Sequence, residues 1–245
     1  MKLANERELD LTLILPCLNE ENTVGASLDE AMRFINAYGI KAEMLVVDNG
    51  STDRSAEEAI KHGAKVIPEP RRGYGRAIRT GIEQSRGGVL IMADCDTTYD
   101  LLHLEQFYFP LLRGECDMVI GDRFAGGIAK GAMPFLHRLG VPFLSWCGRV
   151  KLNTRVRDFH CGLRSFTRAA ALTAELDTDG MEFATELIAA AVSSGLRISQ
   201  TPTVLRRAVK DRRSKLHTFS DGFRHLRFIL TYDRKEKEHG QKNDT

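Results

Sequence analysis

Val89-Leu90-Ile91-Met92-Ala93-Asp94-Cys95-Asp96 is the stretch on which the fold of this chain turns. Five apolar residues, preceded by Gly87-Gly88 and stopped by an acidic turn, read as a short strand buried on both faces. Toward the N-terminus the same kind of run recurs at Leu11-Thr12-Leu13-Ile14-Leu15, ended by Pro16, then at Glu43-Met44-Leu45-Val46-Val47, ended by Asp48, and at Ala64-Lys65-Val66-Ile67. Toward the C-terminus it recurs at Met118-Val119-Ile120. Helical segments fill the intervals. One runs from a cap at Asn22 or Thr23 to Tyr38 and is closed by Gly39, a second follows Asp53, and two more span Gly75 to Ser85 and Leu101 to Arg113. This alternation predicts an α/β fold, with a mostly parallel central sheet and helices on both faces. Ligands in such sheets gather beyond the carboxyl ends of the strands. Each strand end here carries polar residues: Asn19 and Glu20, Asp48, Asp94 and Asp96, Asp122 and Arg123.

Composition narrows the function. With 42% hydrophobic and 28% charged residues over 245 positions, the chain is neither wholly disordered nor a disulfide-dense miniature scaffold. No apolar run reaches the length needed to cross a bilayer. Lys2 and Glu6 sit where a signal peptide needs an apolar core, so export is not expected. The five cysteines are scattered without a Cys-x-x-Cys pair and read as reduced thiols of a cytoplasmic protein. Cys17 and Cys95 flank the candidate site by position only, and the seven histidines show no metal-ligand spacing. Charge is uneven: residues 206–245 carry 12 Lys/Arg against 6 Asp/Glu, whereas residues 1–205 carry 23 against 27. A basic tail on a slightly acidic body points to an anionic partner, or else to a solvated charged tail. Nothing in this pattern suggests a nucleic-acid partner.

The second half is less regular. Residues 124–157 contain no Asp or Glu, yet hold Lys130, Arg138, Arg149, Lys151, Arg155 and Arg157 among Phe135, Leu136, Leu139, Phe143, Leu144 and Trp146. That mixture fits a segment lying on an anionic lipid surface, or a core-packed helical insertion with a basic edge; both readings stay open. A strand at Leu163 to Phe166, a helix from Phe183 to Ser194 ended by Gly195, and a strand at Arg197 to Leu205 follow. In the last helix, Phe219 to Tyr232, the spacing of Phe219, Phe223, Leu226 and Leu230 makes one apolar stripe, expected to pack on the body, with membrane-surface contact as the alternative because Lys215, Arg224 and Arg227 flank it. Residues 233–245 read as a polar tail.

Four motifs carry chemistry. Asp94 and Asp96, two residues apart after a strand, can converge on one hard divalent cation such as Mg²⁺ or Mn²⁺ that shares its oxygen ligands with substrate phosphates. Asp48 begins Asp-Asn-Gly-Ser-Thr-Asp and can accept hydrogen bonds from a nucleobase or ribose; a simple turn with a helix cap is the alternative. Pro16 to Glu20 forms a rigid strand exit that can floor a base pocket. Arg71-Arg72-Gly73-Tyr74-Gly75 permits close backbone approach before a helix.

In this order the motifs resemble the GT-A (nucleotide-diphospho-sugar transferase) family of inverting glycosyltransferases. Gly121-Asp122-Arg123-Phe124, Asp158-Phe159-His160-Cys161-Gly162-Leu163-Arg164, Met181-Glu182-Phe183 and Arg213-Ser214-Lys215-Leu216 look like the later blocks of polyprenyl-phosphate (dolichol- or undecaprenyl-phosphate) glycosyltransferases. The resemblance implies one glycosyltransferase domain over residues 1–232, with a nucleotide-sugar half at about 11–123 and an acceptor half at about 124–232. It implies transfer of a hexose from a UDP-glucose or GDP-mannose type donor to a polyprenyl phosphate. Pro16, Asn19, Glu20, Asp48, Gly73 and Asp94 match donor-binding positions, and Asp94 and Asp96 the Mg²⁺ or Mn²⁺ site. Asp96, Arg123 and Asp158 match catalytic positions; Arg138, Arg164, Arg212, Ser214 and Lys215 match contacts to the acceptor or its phosphate. Two departures stand out. Thr98 occupies a position where many relatives have a metal-binding Gln, which implies either fewer protein ligands for the metal or Asp100 as a substitute. Many bacterial relatives also continue into transmembrane helices. The expected location is peripheral, at the inner face of the membrane, with the chain acting alone, with a separate membrane subunit, or as part of a longer membrane-spanning protein. The competing enzyme reading has a hydroxyl acceptor on a glycan or natural product, with Asp158 or Glu182 as general base; a salt-bridged Asp158 and a helix-capping Glu182 are the structural alternatives.

Overall fold

Seven strands form one sheet in the order β3-β2-β1-β4-β6-β5-β7. The computed structural model describes residues 9–209 and 218–232. The elements are β1 (Leu9–Cys17), α1 (Val24–Tyr38), β2 (Ala42–Asp48), α2 (Ser55–Lys61), β3 (Lys65–Pro68), α3 (Tyr74–Gln84), β4 (Gly87–Met92), α4 (Glu105–Leu112) and β5 (Met118–Asp122), then α5 (Arg123–Gly126), α6 (Phe135–Leu152), β6 (Arg164–Thr167), α7 (Arg168–Thr173), α8 (Phe183–Ser193), β7 (Ile198–Pro202) and α9 (Thr218–Thr231). All pairings are parallel except those of β6, which runs antiparallel to both β4 and β5. Helices α1 and α4 share one face, joined by the Phe34–Tyr108 ring pair and a Tyr38–Glu105 hydrogen bond of 2.9 Å. Helix α3 packs on β1 and β2 together with α7 and α8. The predicted α/β architecture holds. The core is built from the apolar runs, with Leu11, Leu13, Ile14, Leu45, Leu90 and Ile91 fully buried.

Several boundaries differ from the sequence reading. Strand β1 runs through Pro16 to Cys17 rather than ending before the proline. The β1–β4 ladder finishes at Ile14 and Met92, with Ala93 N–H donating to the Ile14 carbonyl. Backbone groups alternate sides along a strand. Pro16, two residues on, therefore points its missing donor past the end of β4, where no ladder bond is lost. The helix expected from Leu101 starts only at Glu105, because Asp100 Oδ1 accepts from Leu102 N–H at 3.1 Å and holds a turn instead.

The stripe predicted for the last helix is not the face that α9 buries. Phe223 and Leu230 are exposed, whereas His225 and Ile229 are buried. Thr185 of α8 fixes this rotation through a 2.9 Å hydrogen bond to His225 Nδ1. Helix α6 likewise leaves an apolar stripe uncovered. It rests on the body through Ser145, Gly148 and Leu152, and a Cβ at Gly148 would lie 2.6 Å from the Phe159 ring. Phe135, Leu139, Phe143, Trp146 and Val150, spaced 4, 4, 3 and 4 residues apart, form an exposed apolar stripe. No described helix is long and apolar enough to cross a membrane.

Candidate active site

The strand order turns at β1, whose neighbours β2 and β4 lead to opposite edges, and this opens a crevice at the carboxyl ends of β1 and β4. Cys17 lies in register with Asp48, and Ile14 with Met92, so the segments after β1, β2 and β4 leave the sheet side by side. The sequence-predicted donor residues Pro16, Asn19, Glu20, Asp48, Asp94 and Asp96 therefore share one edge.

The first wall is sewn together by side chains. Asn19, held at φ 51°, donates its N–H to Ser51 Oγ (2.9 Å) and accepts the Thr52 N–H at Oδ1 (2.8 Å). Glu20 N–H donates to Ser55 Oγ at 2.7 Å, and the buried Glu20 carboxylate accepts the Thr23 hydroxyl at 3.0 Å. Asp48 Oδ1 accepts the Ser51 N–H at 3.1 Å. Pro16 offers its carbonyl to Cys95 Sγ at 3.2 Å. Gly73 donates its N–H to Asn49 Oδ1 at 2.8 Å, and a Cβ there would lie 2.3 Å from the Asp179 carbonyl oxygen. Only glycine lets the α3 entrance meet that loop. Asn49, buried and missed at the sequence level, also donates to the Glu69 and Arg71 carbonyls. Its place inside Asp-Asn-Gly was the available signal.

Asp94 and Asp96 occupy the second wall. Asp96 is buried, and its Oδ1 accepts the Thr98 N–H at 3.0 Å and the Thr98 hydroxyl. Thr97 between them has φ 64°, a strained setting for a β-branched residue, and its hydroxyl donates to the Asp96 carbonyl. Asp94 lies against Gly162, where a Cβ would come within 2.4 Å of Oδ2. Burial first, and the Asp94 charge second, push the Tyr74 phenol well above its ordinary pKa, leaving a neutral hydroxyl toward Asp94. Two carboxylates are hard oxygen donors suited to Mg²⁺ or Mn²⁺. Among the described residues no group of three or more candidate ligands converges. Asp100 does not join this pair: it bonds His103 at 3.0 Å and Arg206 at 2.8 Å. Thr98 serves Asp96 instead of replacing a ligand.

The predicted catalytic pair meets beyond Gly162. Arg123 Nε and NH2 donate to Asp158 Oδ2 (2.7 Å) and Oδ1 (2.8 Å), and Asp158 is fully buried. Asp158 Oδ1 also accepts the His160 N–H at 3.1 Å. Both oxygens are thus committed to orienting Arg123 and its loop, which corrects Asp158 as a candidate base. Arg164 is corrected as well. It is fully buried, and its guanidinium donates to the carbonyls of Cys161 (2.8 Å), Ala184 (2.6 Å) and Phe159 (2.5 Å). It braces the 158–164 loop against α8 and cannot reach a substrate. Arg138 is exposed on α6. Arg212, Ser214 and Lys215 lie outside the described residues.

Arg123 also borders a cavity of about 170 Å³ between α6 and α9, lined by Met133, Leu144, His160 and His225 among others. Neither the cavity nor its histidines follow from sequence spacing, because residues 133–144, 160 and 222–225 meet only through packing. The loop carrying His160 into the cavity carries Gly162 to Asp94, so two residues separate the cavity from the paired carboxylates.

The family model described as glycosyl transferase family 2 matches residues 12–172. A low-salt glycan biosynthesis hexosyltransferase, Agl6, of Haloferax volcanii is 36% identical over 221 residues, which are 90% of this chain and 53% of that protein. The chain thus spans about half the length of that relative. A dolichyl-phosphate hexose transferase of the same organism is 31% identical over 87% of this chain and 89% of its own length. Among solved structures, glucosyl-3-phosphoglycerate synthase of Mycobacterium tuberculosis with Mn²⁺ and UDP-glucose superposes with a TM-score of 0.72 at 24% identity, covering 91% of this chain and 78% of that one. The likeness establishes a shared GT-A fold.

Proposed function

The chain belongs to glycosyltransferase family 2 and is a glycosyltransferase, and from that premise we propose that it transfers a hexose from a nucleotide diphosphate sugar to a polyprenyl phosphate at a membrane surface, alone or with a separate membrane subunit. One observation carries the reading. The Asp94 carboxylate stands two loop residues from an apolar cavity whose charged wall is Arg123, under a helix with an exposed apolar stripe. A headgroup that is anionic and a tail that is not both find surfaces there. The names of relatives support the substrate class: one is a dolichyl-phosphate hexose transferase, and a fold neighbour was solved with Mn²⁺ and UDP-glucose.

The segments after β1 and β2 orient the nucleoside, with Asp48 at the strand end and the Asn19–Thr52 and Glu20–Ser55 bonds holding the wall rigid before substrate arrives. Asp94 and Asp96 hold the donor end of the crevice, where Mg²⁺ or Mn²⁺, when bound, supplies positive charge against the departing diphosphate. A phosphate monoester has its second pKa near ~6 and is mostly dianionic at neutral pH. It therefore attacks without a general base, in keeping with an Asp158 wholly engaged by Arg123. A phosphate oxygen of the acceptor forms the new bond to C1 of the hexose. The bond from C1 to the diphosphate oxygen breaks, and its electron pair leaves with the nucleoside diphosphate. The configuration at C1 inverts. Arg123, held by Asp158, presents its remaining edge to the anionic acceptor.

Thin-layer analysis with radiolabelled UDP-glucose and GDP-mannose, a polyprenyl phosphate, and Mn²⁺ or EDTA tests this. The expected result is a labelled lipid that depends on the metal and is stable to phosphatase. Transfer only to an alcohol or sugar overturns it. One feature favours that second reading: Glu182 Oε2 is buried with no hydrogen-bond partner among the described residues, next to the cavity residue Met181. A hydroxyl acceptor would make Glu182→Gln lose activity with a changed pH profile, whereas a phosphate acceptor leaves that variant active.

A further inference from the structure

We propose that the cavity between α6 and α9 is a head-and-tail subsite in which His160 hydrogen-bonds a phosphate monoester while a slot between Gly140 and Gly222 takes the first branched five-carbon unit attached to it. This deepens the acceptor reading above and rests on it. Both ring nitrogens of His160 are shut off from solvent and have no hydrogen-bond partner among the described residues. An imidazole always carries at least one acceptor or donor that burial leaves unsatisfied at a cost. Here the ring lies in a loop fixed from both sides, by Asp158 on its N–H and by the braced Arg164 beyond it. Its edge meets His225 with ring centroids 4.3 Å apart.

The groups facing the ring favour an anion. Arg123 from α5, Arg164 from β6, His225 from α9 and His137 from α6 all surround it. Burial first and the basic groups around it next hold His160 neutral, with its pKa well below the ordinary value. A bound phosphate reverses that balance, because it supplies both the missing partner and the compensating charge.

The rest of the cavity is apolar, and its shape comes from two glycines. Gly140 lies within α6 and Gly222 within α9, and both line the space. A Cβ on either would meet nothing within 4 Å. Glycine inside a helix weakens it, and neither position requires one for close packing, unlike Gly148 against Phe159. The volume of about 170 Å³ is close to the engineered apolar cavity of about 150 Å³ that holds a benzene ring. One branched five-carbon unit fits; a longer stretch of chain must leave along the α6 stripe.

The test uses the whole chain with donor and Mn²⁺, comparing farnesyl phosphate, farnesol and glycerol 3-phosphate. His160→Ala is expected to raise the KM for farnesyl phosphate about tenfold or more with kcat at saturation little changed, and His160→Gln, which keeps a donor, to recover part of the loss. Inhibition by farnesol, which lacks the phosphate, stays as in the parent. Gly140→Leu fills the slot with a better helix former. It is expected to raise the KM for farnesyl phosphate and to weaken farnesol inhibition, while thermal stabilisation by donor with Mn²⁺ is retained. An unchanged KM for farnesyl phosphate in both variants overturns the subsite. So does a Gly140→Leu effect as large on glycerol 3-phosphate as on farnesyl phosphate, since that places a soluble ester rather than a prenyl chain in the cavity. Absence of transfer to farnesyl phosphate and to longer prenyl phosphates by the unaltered enzyme is a separate result, and it refutes the proposed function itself.

Discussion

Arg123 and Asp158 form a buried two-pronged ion pair, with Nε to Oδ2 at 2.7 Å and NH2 to Oδ1 at 2.8 Å, across 35 residues of chain. Breaking such a pair from one side strands a buried charge, at a cost of about 3–5 kcal/mol. Asp158→Ala is therefore expected to lower stability by about that much, read from denaturant midpoints, and to lower activity through a misaimed Arg123. A variant as stable as the parent would mean that Arg123 finds water instead.

Gly162→Ala tests the Asp94 wall without touching a carboxylate. The added methyl would lie 2.4 Å from Asp94 Oδ2, so the carboxylate must turn away. Asp94→Asn and Asp96→Asn remove the charges themselves. All three are expected to lose the extra thermal stabilisation that Mn²⁺ gives with a nucleoside diphosphate, and to lower kcat by about a hundredfold or more, the scale of one lost electrostatic stabiliser. Full Mn²⁺-dependent stabilisation in Asp94→Asn would remove that residue from the metal site.

Acidity should act through His160. Its folded pKa is depressed below the ordinary ~6.5, so between the two values the unfolded chain binds the extra proton. Stability is therefore complete above about pH 6.5 and falls as the pH drops below it. His160→Gln is expected to flatten that part of the pH–stability curve. Equal slopes for parent and variant between pH 6.5 and 5 would show that other groups cause the loss.

Trp146 is the one tryptophan of the chain and sits on the exposed α6 stripe. Vesicles rich in anionic lipid are expected to shift its emission to the blue, less so as salt screens the basic residues of 124–157. Replacing Phe143 and Leu139 by Ser should weaken binding by about 1.5–3 kcal/mol for each side chain that leaves the apolar phase. Emission indifferent to vesicles would mean that the stripe meets something other than lipid.

The strands and the polar ends that carry the donor residues were legible because both are local: an apolar run and the turn after it are neighbours in sequence. Asp48, Asp94 and Asp96 fall at one edge for that reason alone. What depended on packing was not legible. Asp158 could not be told apart as base or ion-pair partner because Arg123 is remote in sequence, and Arg164 read as a phosphate contact although three buried carbonyls hold it. The rotation of α9 failed for a related reason. Periodicity reveals which face of a helix is apolar but not which face is covered, and here Thr185 and His225 decide while Phe223 and Leu230 point outward. Thr97, strained immediately after Asp96, gives no signal in composition at all.

The bonds that join Asn19 to Ser51 and Thr52, and Glu20 to Ser55, make the proposed donor wall a single stiff piece, whereas α6 buries Ser145, Gly148 and Leu152 and packs chiefly on α9. On the proposed function, recognition of sugar and recognition of recipient would sit on separately replaceable parts. Grafting the α6 and α9 helices of a relative onto this chassis should transplant that relative's taste in recipients while the sugar it delivers stays the same.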